Sequence, residues 1–181
     1  PGPMTRTVED CALAMNVIAG YDSKDPASAN VPVPDYTTAL APNITGLRIG
    51  IPKEFLEMPI DPSVGSVVQQ AISYLGELGA TVTEVSWPLL SRAPAISTPT
   101  ISAESSACLG NLVRTKGHLM DPIVRVRLEA GFFVSSAEYI QAQRARAIFK
   151  QQSLELFRQV DVLAGPMLPI TAFKIGSTEV D

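Results

Sequence analysis

The sequence predicts an α/β fold in which helices cover a sheet. Three observations predict it. A strand–helix–strand run occupies residues 47–87. A short apolar strand, Asp161-Val162-Leu163-Ala164-Gly165, lies far downstream. The remaining segments carry capped, helix-period patterns.

The chain opens on a loop that feeds a helix. Thr7, with Asp10 three residues on, matches a capping box in which Asp replaces the usual Glu or Gln. Val8, Cys11, Ala12, Met15, Ile18 and Ala19 share one apolar face, and Gly20 suits the position just past the end. Residues 21–46 are rich in Pro, Asp, Ser and Asn and read as a long surface connection.

Leu47 to Ile51 reads as a strand stopped by Pro52. Asp61-Pro62 supplies an N-cap with Pro at the first helical position. Val64, Val67, Val68, Ala71, Ile72, Leu75 and Leu78 keep helical spacing until Gly79. Thr81 to Trp87 alternates as a strand, so the two strands are expected to pair in parallel. Pro88, Pro94 and Pro99 mark residues 88–100 as loop, and helix is expected from Ile101 to about Thr115.

Asp121-Pro122 opens another helix, with Ile123, Val126, Arg127, Ala130 and Val134 on one face. Ser135 or Ser136 caps the last helix, with Glu138 near its third position. That helix is expected to reach about Val160. Its apolar stripe is Ile140, Ala147, Ile148, Leu154 and Phe157, interrupted by Arg144 and Gln151, so its middle should face something polar.

Composition excludes several functions. The 181 residues are 46% hydrophobic, which fits a globular chain. A net charge of −4 with scattered cations gives no nucleic-acid or membrane-surface footprint. No apolar run reaches the ~18 residues of a membrane span. Gly46 and Gly50 lie outside any G-x-G-x-x-G pattern, so no nucleotide cofactor is expected. Cys11 and Cys108 lack metal-site spacing, and His118 is the single histidine, so no metal site is expected either. The cysteines fit a reducing, cytoplasmic setting.

Few residues offer chemistry on their own. Ser102, Ser105 and Ser106 surround Glu104, and a serine triad would have to recruit His118. The bland reading makes these serines solvated or capping groups and His118 a turn residue. Arg127 stands among apolar neighbours. It either snorkels to a surface carboxylate or forks a carboxylate or amide in a pocket.

The wording of several segments is more specific than their physics. Gly2-Pro3-Met4-Thr5-Arg6-Thr7-Val8-Glu9-Asp10-Cys11-Ala12 resembles a segment of the amidase signature family. Asp25-Pro26-Ala27-Ser28, Gly46 to Pro52, Leu78 to Val82, Val126 to Gly131, and Asp161-Val162-Leu163 with Pro166, Pro169 and Ile170 follow in the family's order. The last departs from the pattern, because Met167 stands where threonine is usual.

The resemblance implies a portion of a mixed-sheet fold, residues 1–181 forming a single partial domain. It implies acyl transfer, in which a lysine and a bridging serine activate a nucleophilic serine. Those three residues would lie upstream of Pro1, so no catalytic residue is expected here and the chain alone should be inactive. The start at Pro1, inside a motif, is expected for a piece of a larger protein.

By the same resemblance Arg127, four residues before Gly131, matches an arginine that contacts the substrate carboxylate in the A subunits of tRNA-dependent glutamine amidotransferases. A tyrosine of those proteins has no counterpart between Gly110 and Met120, which favours a general amidase acting on a small-molecule amide. The alternatives are a non-catalytic α/β binding or scaffold module, a self-sufficient serine hydrolase, and the A subunit of such an amidotransferase. Strands selected to pair with absent strands should also drive self-association through open sheet edges.

Overall fold

The computed structural model describes residues 2–40 and 43–177. It divides into two compact units, Pro1–Ile44 and Thr45–Asp181.

The first unit is built on helix α1 (Val8–Ile18). The Thr7 hydroxyl accepts the Asp10 amide at 3.1 Å, the forward half of the expected capping box. Of the expected apolar face only Ala12 is buried, while Val8 and Ile18 are 73% and 60% exposed. The following connection folds back on the helix. Asn16 donates its amide to Asp35 at 2.7 Å and accepts the Tyr36 amide at 2.8 Å. Asp35 then caps a single 3-10 turn, Tyr36–Ala39.

The second unit contains strands β1 (Arg48–Pro52), β2 (Thr81–Val85) and β3 (Val162–Leu163). Its helices are α2 (Lys53–Leu56), α3 (Pro62–Glu77), α4 (Ala93–Lys116), α5 (Pro122–Ala130) and α6 (Ser136–Leu156). The strands lie in the order β2-β1-β3 and all pairs are parallel. Arg48 faces Thr81 and Ile49 faces Val162.

β1 is central, so its apolar residues are covered on both sides. Ile49 and Ile51 are 2% and 6% exposed. A Cβ on Gly50 would stand 2.9 Å from Leu163 Cδ2. Pro52 lacks an amide to donate and ends the strand, opposite Val85.

The α3-to-β2 turn follows directly from Gly79. Its φ of +94° lets the Gly79 amide reach Gly76 O at 3.0 Å and the Ala80 amide reach Leu75 O at 3.2 Å. That pair of bonds closes a Schellman cap and drops the chain into β2.

Two expectations are corrected. Residues 93–100 are helix, not loop. Pro94 sits in the first turn of α4, where no amide is needed, and Pro99 removes one internal bond that the long helix absorbs. The expected stripe of α6 also points outward: Ile140, Ile148 and Leu154 are 50%, 58% and 53% exposed. Its inward face carries buried Ala142 and Leu156 with half-buried Phe149 and Gln152. The helix stops at Leu156 and a turn leads to Val160, which is buried.

The start of α6 is as expected. Ser135 and Glu138 form a full capping box. Leu156, Val160 and Val85 make the core beside the sheet, with Trp87 and Leu163 packed against them. Trp87 in turn meets Phe149 at 4.7 Å between ring centres.

Candidate functional site

α4 is the platform on which the chemistry-bearing residues are arranged. Its serine cluster is structural. Ser106 is 3% exposed, and its hydroxyl lies 2.8 Å from Ser102 O and 2.5 Å from Leu128 O. One hydroxyl proton can serve one carbonyl at a time, so Ser106 pins α5 to α4 and meets no base. Close approach also explains Gly131, since a Cβ there would land on Ser106 Oγ and the Ser102 carbonyl. His118 is exposed in a 3-10 turn, Gly117–Leu119. No bond joins His118 to Ser102, Ser105 or Ser106 among the described residues.

Arg127 lies in the last turn of α5 and is exposed. Its expected face is corrected, because Ile123 and Val126 are 45% and 63% exposed and the buried residue is Leu128. The nearby carboxylate of Glu129 is taken by Arg125 at 2.7 Å. Arg127 has no hydrogen bond or ion pair among the described residues, so the snorkelling reading finds no carboxylate.

A second polar group sits beyond the carboxyl ends of β1 and β2. Glu54 accepts the Ser86 hydroxyl at 3.0 Å and the Trp87 amide at 2.8 Å. Burial pushes its carboxyl up, but the amides of Trp87 and of Glu54 itself, with the Ser86 hydroxyl, more than reverse this and hold it below its ordinary value. It clamps the exits of two parallel strands.

A further polar assembly joins α4 to α6. The Tyr139 hydroxyl donates to Glu104 at 3.0 Å, and Gln143 donates to Thr100 at 3.2 Å. The bond to Glu104 raises the Tyr139 pKa, burial adds to this, and Arg146 opposes it. Beside these bonds a cavity of about 350 Å³ is lined by Ile96, Ser97, Ile101, Glu104, Arg146 and Phe149. The polar contact expected for the middle of α6 is made by half-buried Gln143, while Arg144 and Arg146 are both exposed, Arg146 at the edge of the cavity. The signal was present as Tyr139, Gln143 and Arg146 at helical spacing. The partner of Gln143, Thr100, falls in the segment whose prolines predict loop.

Chemically, these residues can bind and orient. Among the described residues no group of His, Cys, Asp or Glu side chains could hold a metal ion. Among the described residues no helix is long and apolar enough to cross a membrane.

Comparison with known proteins places this geometry. A family model described as Amidase matches residues 1–181. An amidase from Pseudomonas putida is 40% identical over 97% of this chain and 38% of its own length. The A subunit of the glutamyl-tRNA(Gln) amidotransferase from Pseudomonas savastanoi pv. phaseolicola is 35% identical over 99% of this chain and 42% of its own. A solved bacterial aryl acylamidase of the amidase signature enzymes superposes with a TM-score of 0.77 at 26% identity, over 98% of this chain and 39% of that one. The chain thus spans less than half the length of these relatives.

Proposed function

The chain belongs to the amidase signature family, and on that premise we propose that it is a segment of an amide-hydrolysing enzyme and supplies a wall of its substrate pocket. The match of the family model across residues 1–181 carries this reading. Hydrolysis proceeds by attack of a serine on the amide carbonyl. The C–N bond breaks, the amine leaves with a proton, and water then releases the acid. In this proposal the Ser–Ser–Lys centre lies outside this segment, and the segment alone is inactive. The two carbonyls around Ser106 and the exposure of His118 in its 3-10 turn support that division.

Arg127 is assigned to the substrate. Its freedom from protein carboxylates supports a role in holding an anionic or carbonyl group from outside. The test uses the full-length enzyme. Arg127→Ala should raise KM for a carboxylate-bearing amide by on the order of tenfold or more, with little change for an uncharged amide. Equal effects on both would remove the assignment.

A second reading, the A subunit of an amidotransferase, is supported by relatives of that name at 35% identity or above. Glutamine hydrolysis by the full-length protein, without hydrolysis of simple amides, would favour it. The cytoplasmic setting rests on two free cysteines, Cys11 half-buried and Cys108 exposed. The chain by itself is expected to self-associate through the edges of β2 and β3, which light scattering would detect.

A further inference from the structure

Ser106 is buried without a chemical task, and the turn it grips is the one that carries Arg127. Helix α5 has nine residues. A helix this short is marginal by itself in water. Residues 122–127 are exposed, so the protein grips α5 through its last turn. Leu128 there is 8% exposed, and Gly131, which ends the helix, is buried.

The grip is polar as well as apolar. Carbonyls in the last turn of a helix lack partners further along it. The Leu128 carbonyl accepts the Gly131 amide of its own segment and lies 2.5 Å from the Ser106 hydroxyl of α4. The other acceptor near that hydroxyl, Ser102 O at 2.8 Å, belongs to α4 itself. A Cβ on Gly131 would land on Ser106 Oγ and the Ser102 carbonyl, so the fit has no slack. Beyond it Phe132 packs over Gly110, with the Arg114 guanidinium 5.5 Å from its ring centre.

The rotation of α5 is set as well. Arg125 lies across Gly117, just past the end of α4, and pairs with Glu129 at 2.7 Å. Arg127 comes two residues later, about 200° further round the helix, and is turned away from that contact. Its guanidinium has no protein partner among the described residues, so its place is set by its backbone alone. That backbone adjoins the Leu128 carbonyl.

We propose that Ser106 is a positioning residue for Arg127, seating the last turn of α5 so that the guanidinium stands where a substrate carboxylate arrives. This rests on the assignment of Arg127 to the substrate.

The test is a double-mutant cycle in the full-length enzyme, read with succinamate and with butyramide. These amides differ only in a remote carboxylate or methyl group. Ser106→Ala should raise KM for succinamate about three- to tenfold and leave KM for butyramide within about twofold. The remote carboxylate keeps its charge throughout the reaction, so kcat should not move. In an Arg127→Ala background the same substitution should add nothing, because its route to the substrate is gone. Ser106→Cys, a weaker donor of similar shape, replaces the alanine variant if circular dichroism shows the latter unfolded. A selective effect of Arg127→Ala with none from a folded Ser106 variant overturns the proposal and leaves Arg127 on the substrate. Effects that multiply in the double variant, or an equal rise for both amides, also overturn it. Arg127→Ala without selectivity removes the assignment of Arg127 and this proposal together.

Discussion

Arg48 and Asp161 join the beginnings of β1 and β3 through backbone and side chain at once. The Asp161 carboxylate accepts the Arg48 amide at 2.9 Å and the guanidinium Nη2 at 2.6 Å. The Asp161 amide returns a bond to Arg48 O at 2.8 Å. The guanidinium Nη1 donates to the Arg158 carbonyl at 3.2 Å, tying in the turn after α6. One arginine thereby fixes where the last strand enters the sheet.

The pH dependence of this junction has a definite sign. The side-chain bond from Arg48, joined by its amide, lowers the Asp161 pKa from 3.8 to about 2. A depressed carboxylate pKa stabilises the fold above the unfolded value and stops doing so as pH falls through the folded one. Asp161→Asn should lower the thermal midpoint at neutral pH, and the gap from the unmodified chain should close between about pH 4 and pH 2. Both side chains are partly exposed, so added salt should shrink the gap. A gap that is constant across this range would contradict the assignment.

Gly131 and Ser106 form the contact that brings α5 and the turn after it onto α4. Gly131→Ala forces a Cβ onto backbone and should cost about 1–3 kcal/mol or more, read by urea denaturation. Ser106→Ala removes one buried donor and should cost about 1–2 kcal/mol. In the full-length enzyme, Ser106→Ala should leave a folded protein with unchanged kcat. A complete loss of turnover in a folded variant would restore the serine-hydrolase reading of this cluster.

The two faces of α6 differ in cost. Leu156 is 5% exposed in the core, and Leu156→Ala should destabilise by about 2–5 kcal/mol. Ile148 is 58% exposed, and Ile148→Ala should stay within about 0.5 kcal/mol in this chain. Denaturation midpoints of the two variants decide which face is inside. A reversal would reinstate the stripe read from the sequence.

Those faces show how much the sequence carried. Caps are local, so Thr7, Asp61, Asp121 and Ser135 were legible from the few residues around them. The parallel pairing of β1 and β2 followed from the helical crossover, chiefly α3, between them. The inward face of α6 was hidden because small and amphipathic residues, Ala142, Gln143 and Gln152, occupy it while isoleucines point outward. Hydrophobic periodicity weighs side chains and not the neighbour that covers them. Pro99 misled for a related reason, since tertiary contacts at Ile96 and Thr100 hold a helix that propensity alone would end. Arg127 was visible as a candidate, but Glu129 has two arginines within reach on one helix, and the structure pairs it with Arg125.

The proposed division of labour, with the nucleophile outside this segment, is tested most directly by intact-mass measurement after exposure to a serine-directed fluorophosphonate. The account predicts one added label on the full-length protein and none on the 181-residue chain. A label on the 181-residue chain would place a reactive serine within it and contradict the account.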